Sequence, residues 1–553
     1  MNTEDIADAL EITAKLQELH GENPFKVRAL SGAAYKLSKT RMDLRGKSQN
    51  EIEQIEGVGK GIAAKIIELL STGTTEEFEE LKNKTPLGVI EMLGVKGLGP
   101  KKVRQLWKEL NVESLGELLY ACHENRLVDL KGFGIKTQES VQKNIEFKQS
   151  NSGKIHFARA EKEVLQMVKN LKQNISFIEN ISATGEVRRK CDIITKIEII
   201  ASTNEIEEVK VILTEQLGFI EDEEIENTFV YGNEGCPTII YLCAPENFYK
   251  ELFETTGSSE FIEQFLETEI ETPESEEEIF ESQGLQFIEP ELRESSSIIK
   301  IAKENKIPKL IEYSNLKGIL HNHSTYSDGM NTLQEMAEYC KELGFEYFGI
   351  CDHSQTAVYA EGLKPEKVLL QQKEIDKLNK QLAPFKIFKG IESDILNDGR
   401  LDYEEDILKT FDFVVASVHS NLKMDEEKAT HRLLKAIENP YTTILGHPTG
   451  RLLLAREGYP LNHKKIIDAC AANGVIIELN AHPYRLDIDW SWIPYCIEKG
   501  VKISINPDAH QKEGLKDMCY GVYSARKGML DTKNCFNALS LEEIEKYFNS
   551  RKK

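Results

Sequence analysis

The sequence predicts a multidomain chain, all-α at its start, α+β in its middle and a parallel α/β barrel at its end. Three observations carry this. Residues 4–150 place apolar side chains at helical spacing broken by glycine turns, as with Ile62, Ile66, Ile67 and Leu70 after Gly61. From about residue 155 strands alternate with a helix: Ile193 to Ile200, Glu207 to Leu217 as helix, Thr228 to Tyr231 and Thr238 to Cys243. From residue 313 onward, seven short apolar runs each end on a residue able to bind a metal ion. Strands that all deliver ligands at their carboxyl ends imply a parallel barrel with its chemistry at one rim.

At 553 residues the chain is too long for a single core. The pattern divides it into helical segments at 1–80 and 81–150, an α+β segment at 151–250, a reduced subdomain with an acidic linker at 251–312, and the barrel at 313–553. The formal charge of −23 argues at first against a nucleic-acid partner. Its distribution does not, because residues 1–150 carry 22 basic against 23 acidic side chains. The densest acidic run, Glu267 to Glu281, holds eight glutamates and no base and reads as a solvated connector. No apolar run is long enough to span a bilayer, and Met1-Asn2-Thr3-Glu4-Asp5 is no signal peptide, so no membrane partner and a cytoplasmic location are expected. Ten cysteines without a Cys-x-x-Cys pair fit idle thiols in a reducing compartment.

In the helical region three segments share one shape: Ile55-Glu56-Gly57-Val58-Gly59-Lys60-Gly61, Leu93-Gly94-Val95-Lys96-Gly97-Leu98-Gly99-Pro100-Lys101-Lys102, and Leu130-Lys131-Gly132-Phe133-Gly134-Ile135-Lys136. Each places an apolar-Gly-apolar-Gly turn before a helix. The glycines permit positive φ and close approach, so backbone N–H groups and the positive helix end can face a phosphate oxygen. This is the helix-hairpin-helix pattern, which grips DNA without reading bases. Gly57, Gly59, Lys60, Gly97, Gly99, Lys101, Lys102, Gly132 and Gly134 are the expected DNA-binding residues; the third turn also reads as purely structural.

Around these turns, including Asn23-Pro24-Phe25-Lys26-Val27-Arg28-Ala29-Leu30, the sequence resembles the amino-terminal part of the family X DNA polymerases. In relatives with deoxyribose-phosphate lyase activity a Schiff-base lysine occupies the position of Lys65, a role that needs a deprotonated amine. The resemblance continues through Gly185-Glu186-Val187-Arg188-Arg189 into the polymerase palm, where three carboxylates hold two Mg²⁺ ions. Here the acidic positions fall on Lys196, Glu198 and Ile239, so the palm reads as degenerate unless Asp192 serves.

The last segment resembles the polymerase and histidinol phosphatase (PHP) domain, in the version fused to bacterial family X polymerases. The motifs are His321-Asn322-His323 through Ser327-Asp328-Gly329, Cys351-Asp352-His353-Ser354, Gly390-Ile391-Glu392-Ser393-Asp394, Ser417-Val418-His419-Ser420, Gly446-His447-Pro448 and Asn506-Pro507-Asp508-Ala509-His510. The resemblance implies a distorted (β/α)7 barrel with nine metal ligands: His321, His323, Asp328, His353, Glu392, His419, His447, Asp508 and His510. Six imidazoles and three carboxylates without a thiolate suit Zn²⁺, Mn²⁺ or Fe²⁺. The implied cluster holds three ions: one on His321, His323, Glu392 and Asp508, a second on Glu392, His419 and His447, a third on Asp328, His353 and His510. His321, His323, Glu392 and Asp508 are the expected catalytic group, with Arg451, like Arg485, placed to clamp phosphate. Glu478 reads as orienting a ligand, His482 as near substrate, and His431 and His463 as surface histidines.

Together these imply a metal-dependent DNA phosphoesterase with an inactive polymerase module. It would act as a 3′-5′ exonuclease, 3′-end processor or abasic-site endonuclease in repair, without sequence specificity, on gapped, nicked or 3′-ended DNA. The rivals are a histidinol-phosphate type of phosphatase, a non-catalytic DNA-binding scaffold and a residual gap-filling polymerase.

Overall fold

The computed structural model describes residues 1–38, 42–124, 126–128, 130–232, 235–265 and 272–551. The chain forms two compact units, Met1–Ser152 and Gly153–Lys553.

The first unit is helical throughout. Its opening helix, Thr3–His20, starts at a capping box in which Asn2 accepts from the Asp5 backbone N–H and Asp5 returns the bond, and it stops at Gly21, whose φ of 77° ends the helical path. One side of this helix sends Ile6 and Leu10 into a core with Leu30, Leu37, Ile52 and Ile66. Its last turns send Leu16 and Leu19 into a second core with Val89, Leu98, Leu106, Phe133 and Ile145.

The second unit opens on β1 (Ile155–His156), followed by β2 (Asn180–Thr184), β3 (Ile193–Ile194), β4 (Ile197–Ser202), β5 (Ile220–Glu221), β6 (Thr228–Tyr231) and β7 (Thr238–Cys243). β1 pairs antiparallel with β3, and the other five form a mixed sheet in the order β2-β4-β7-β6-β5. The strand expected at 193–200 therefore breaks at Thr195-Lys196, because its two halves serve different sheets. The expected helix 207–217 begins as Ile206–Val211 and widens to a π-turn at Ile212–Gln216.

The described residues between 248 and 303 are more structured than expected. Helices Phe248–Thr256, Ser259–Phe265, Glu276–Ser282 and Ser297–Lys303 enclose Phe253, Phe261, Phe265, Phe280 and Ile288. The acidic run is no connector where it is described: Glu276 is buried, accepting from Arg293 Nη1 at 2.6 Å and from Arg188 Nη1 at 2.9 Å. Arg293 has no solvent contact, and a buried guanidinium requires a carboxylate nearby. Residues 267–271 of the run lie outside the described residues.

The barrel strands are β8 (Gly318–Ile319), β9 (Tyr347–Ile350), β10 (Lys386–Asp394), β11 (Phe413–Ser417), β12 (Ile444–Leu445), β13 (Ile476–Asn480) and β14 (Ile503–Asn506). All seven are parallel and paired in sequence order. A bridge between Asn322 and Ala509, with His323 N–H donating to Ala509 O at 2.9 Å, joins the two end strands just past their carboxyl ends and nearly closes the barrel. The final helix, Leu541–Arg551, stacks Phe548 on Phe413, the first residue of β11, and packs it against Phe388. The aromatic plug thus fills the amino end of the barrel and leaves the carboxyl end for chemistry.

Candidate metal centre

Each of the seven strands hands a polar residue to the carboxyl rim, and the nine expected ligands converge there. Three sets lie with ligand atoms within 4.8 Å of one another: His321, His323, Glu392 and Asp508; His323, Asp328, His353 and His510; and His353, Glu392 and His419. The first matches the expected grouping, and the second is the expected set of Asp328, His353 and His510 joined by His323. The third brings His353 rather than His447 to Glu392 and His419, although His447 Nε2 still stands 3.0 Å from Glu392 Oε1.

Glu392 is the centre. Its Oε1 has His321, His419 and His447 nitrogens at 3.2, 3.1 and 3.0 Å, and its Oε2 has His353 Nδ1 at 2.9 Å. Yet Glu392 Oε2, His353 Nδ1, His321 Nε2 and His323 Nδ1 are all buried without a hydrogen-bond partner. Donor atoms this close that do not bond to each other are aimed at a shared third point. The residues therefore fit divalent ions, whose ligands would be these nine imidazole and carboxylate groups.

Charge supports the same fit. Burial disfavours an imidazolium, but the Glu392 and Asp394 carboxylates outweigh it and raise His419 to about 10, while Asp328 and Asp508 raise His510 to about 9. His323, buried against His510 and His353, is pushed down to about 3. Glu392 and Asp508 are also buried, but the surrounding imidazoles hold both well below the usual carboxylate range. The carboxylates thus favour positive charge on the imidazoles of His419 and His510.

The backbone is bent to make it. His321, His447 and Asp508 have φ of 59°, 20° and 52°, in the left-handed region that side chains other than glycine rarely adopt. Such strain, held by the surrounding structure, gathers at functional sites. Gly446 lets the turn before His447 approach β11, since a Cβ there would sit 2.3 Å from Ser417 Oγ.

A second layer of carboxylates aims the rings. Glu478 Oε2 lies 2.6 Å from His321 Nδ1 and Asp394 Oδ1 lies 2.5 Å from His419 Nδ1, each leaving Nε2 for the cage. Asp352 accepts from the Ser324 N–H at 2.8 Å and from the Ser324 and Ser327 hydroxyls at 2.7 and 2.5 Å, fixing the loop that carries His323 and Asp328. Asp394 and Asp352 were not singled out from sequence for these roles. The signal for Asp394 was its spacing: two residues after Glu392 on a strand puts it on the same face.

Two expectations change here. Arg451 does not reach into the cage: its guanidinium is taken by Asp489 at 2.7 Å, Asp192 at 3.2 Å and the carbonyls of Arg485 and Leu486. An arginine with its donors filled by structural acceptors has no fork left for phosphate. Arg485 keeps Nη1 buried and unpartnered, near enough to His447 to disfavour its protonation, behind the larger effect of burial. His463 is half-buried and stacks on Trp492 with ring centroids 4.6 Å apart, whereas His431 is exposed on its helix as expected.

Among the described residues, the positions expected to carry palm acids form no carboxylate cluster. Glu198 is buried, bonded to Lys196 Nζ at 2.7 Å and to the Tyr241 hydroxyl at 2.8 Å, with Ile239 opposite it in the β4–β7 register. Lys196 thus provides the positive charge beside Glu198. Asp192 is largely buried against Arg451, its side chain 13% exposed, and burial, only partly offset by that arginine, raises its carboxyl to about 6.

In the helical unit all three turns share one backbone path. Val58, Leu98 and Phe133 are buried and donate to Ile55, Val95 and Leu130 at 2.9, 3.0 and 3.0 Å. Gly57, Gly97 and Gly132 have φ of 85°, 92° and 89°, and Gly59 and Gly99 cap the helices Lys60–Thr72 and Pro100–Leu110, as Gly134 precedes Ile135–Ser150. Space in front of Gly59, Gly97, Gly99, Gly132 and Gly134 is open. Lys60 and Lys101 are exposed, whereas Lys102 folds back over Phe133. Lys65 Nζ is ion-paired with the Glu77 carboxylate.

Comparison with known proteins adds to this geometry. Residues 1–75 match the family described as helix-hairpin-helix domain, residues 89–145 the SAM-like helix-hairpin-helix tandem, and residues 320–482 the PHP domain. The chain is 35% identical to the DNA polymerase/3′-5′ exonuclease PolX of Bacillus subtilis (strain 168), over 99% of both chains. A probable phosphatase of Acetivibrio thermocellus is 29% identical over 34% of this chain and 78% of its own length. A probable phosphatase of Clostridium novyi is 27% identical over the same shares.

Proposed function

Given that the chain belongs to the PolX family of bacterial family X DNA polymerases carrying a PHP domain, we propose that it is a metal-dependent DNA phosphoesterase that shortens DNA from the 3′ end. The observation that carries this reading is the convergence of eight imidazole and carboxylate side chains in one cage, with His447 as a ninth beside Glu392. The three helix-hairpin-helix turns supply the DNA target, gripping backbone without regard to sequence, at gaps, nicks or free 3′ ends.

His321, His323, Asp328, His353, Glu392, His419, His447, Asp508 and His510 would hold the metal, with Mn²⁺, Zn²⁺ or Fe²⁺ suited to the donors and three ions suited to their number. Such ions supply a more acidic water and neutralise charge on the phosphoryl oxygens. Glu392, with nitrogens at both its oxygens, holds the groups together. Arg485, with a free buried donor beside His447, holds a phosphoryl oxygen in place of Arg451. Asp328 and His510, with side chains 33% and 39% exposed, form the open side by which a strand end enters. The palm, with Lys196 and Ile239 where acids would stand, serves as a scaffold rather than a polymerase, and the pairing of Lys65 with Glu77 gives no support to lyase chemistry.

The test is digestion of a 5′-labelled gapped duplex in Mn²⁺ by the full chain. A ladder shortening from the 3′ end is expected. Turnover of a small phosphomonoester with no hydrolysis of any oligonucleotide would overturn the reading in favour of a small-molecule phosphatase.

A further inference from the structure

Two tyrosines stand exposed beside the cage, and neither has a role in holding it. Tyr359, 67% exposed, sits in the loop after His353 with its ring 6.0 Å from the His353 ring. Tyr484, 53% exposed, is tied to the cage by a chain of hydrogen bonds. Asn480 Nδ2 donates to Asp508 Oδ2 at 3.1 Å, the His482 N–H to Asn480 Oδ1 at 3.0 Å, and the Tyr484 N–H to His482 Nδ1 at 3.2 Å.

The Tyr484 ring is braced from outside the barrel. His156, on β1 of the palm, lies against it with ring centroids 4.2 Å apart and planes 33° apart. The Leu453 N–H donates to the Tyr484 carbonyl at 2.8 Å, and the Leu453 carbonyl lies 3.0 Å from His156 Nε2. Leu453 thus ties the Tyr484 backbone to the His156 ring. The Tyr484 ring, against His156 and with the His482 ring 5.3 Å away between centroids, still belongs to a residue that is half in solvent. An aromatic face fixed beside a phosphoesterase centre is what a nucleobase stacks on, in any sequence.

We propose that Tyr484, backed by His156, and Tyr359 form a base-stacking platform that holds the unpaired 3′-terminal nucleotides of a DNA strand while the scissile phosphate lies in the cage. This rests on the nuclease reading above. The inactive palm then has a use: it supplies the wall behind one stacking ring. Both tyrosines are positioning residues, and their effect belongs in KM.

The test compares two 5′-labelled single-stranded oligodeoxynucleotides in Mn²⁺, one ordinary and one whose two 3′-terminal nucleotides lack bases. For the intact chain, KM is expected to be about 5- to 150-fold lower for the ordinary end, the range that stacking of one base gives. Tyr484→Ala should narrow the preference most, Tyr484→Phe should keep it, and Tyr359→Ala and His156→Ala should narrow it too. Tyr359 and Tyr484 are exposed, so truncating them opens no cavity. Retention of the full preference by Tyr484→Ala would overturn the proposal. Equal KM for both substrates in the intact chain would overturn the platform but leave the nuclease reading standing, whereas digestion of neither, and of no gapped duplex, would overturn that reading itself.

Discussion

Glu478 Oε2 lies 2.6 Å from His321 Nδ1, with both side chains closed to solvent. The same carboxylate accepts from the His447 N–H at 3.1 Å and from Asn506 Nδ2 at 2.9 Å. With Asn480 Nδ2 at 3.3 Å, four donors on one carboxylate fix the tautomer and direction of a candidate metal-binding ring. Glu478→Gln forces an amide NH₂ against one of those donors, so metal affinity is expected to fall by about 10- to 100-fold with the barrel still folded. Titration with Mn²⁺, beside far-UV circular dichroism, checks this; unchanged affinity would remove Glu478 from the role.

Arg451 and Arg485 should separate stability from substrate binding. Arg451→Ala leaves Asp192 buried without its partner and should cost about 3–5 kcal/mol of stability with little change in KM. Arg485→Ala should raise KM and leave the thermal midpoint within a few degrees. Denaturant unfolding and steady-state kinetics on both variants decide it, and the reverse pattern would restore Arg451 as the phosphate clamp.

Glu276 gives a pH dependence of known sign. Burial pushes its carboxyl up, but Arg188 and Arg293 outweigh it and hold it below its ordinary 4.5. A depressed acid stabilises the fold above its unfolded value and loses that contribution as pH falls through the folded value. Glu276→Gln should therefore cost about 3–5 kcal/mol at pH 7. The gap to the parent protein should close only as pH drops below 4.5. Unfolding curves across that range test it, and a gap independent of pH would contradict it.

Much of this was legible in the chain itself. The barrel ligands could be read because each follows a short apolar strand, and Thr228–Tyr231 and Thr238–Cys243 end where their patterns end. What escaped depends on long-range pairing. Arg451 sits after a ligand-bearing turn and looks free, but its partner Asp192 is 259 residues away. Glu276 lies in an acidic run and looks solvated until Arg188 and Arg293 arrive from other elements. Charge in sequence is silent about burial.

The helix-hairpin-helix turns carry their own prediction. Gly97→Ala or Gly132→Ala places a side chain at φ near 90°, a conformation that costs about 1–2 kcal/mol, and should weaken DNA binding. Lys101→Ala should lower the slope of log affinity against log salt by about one. Fluorescence anisotropy at several salt concentrations reads both. Full affinity in all three variants would place the DNA surface elsewhere.

The most direct test is manganese-dependent digestion of a 5′-labelled primer by the parent protein beside His353→Ala and Asp508→Ala. A ladder that shortens from the 3′ end and vanishes in both variants is the predicted result. Equal digestion by the variants would place the activity outside the cage and contradict the account.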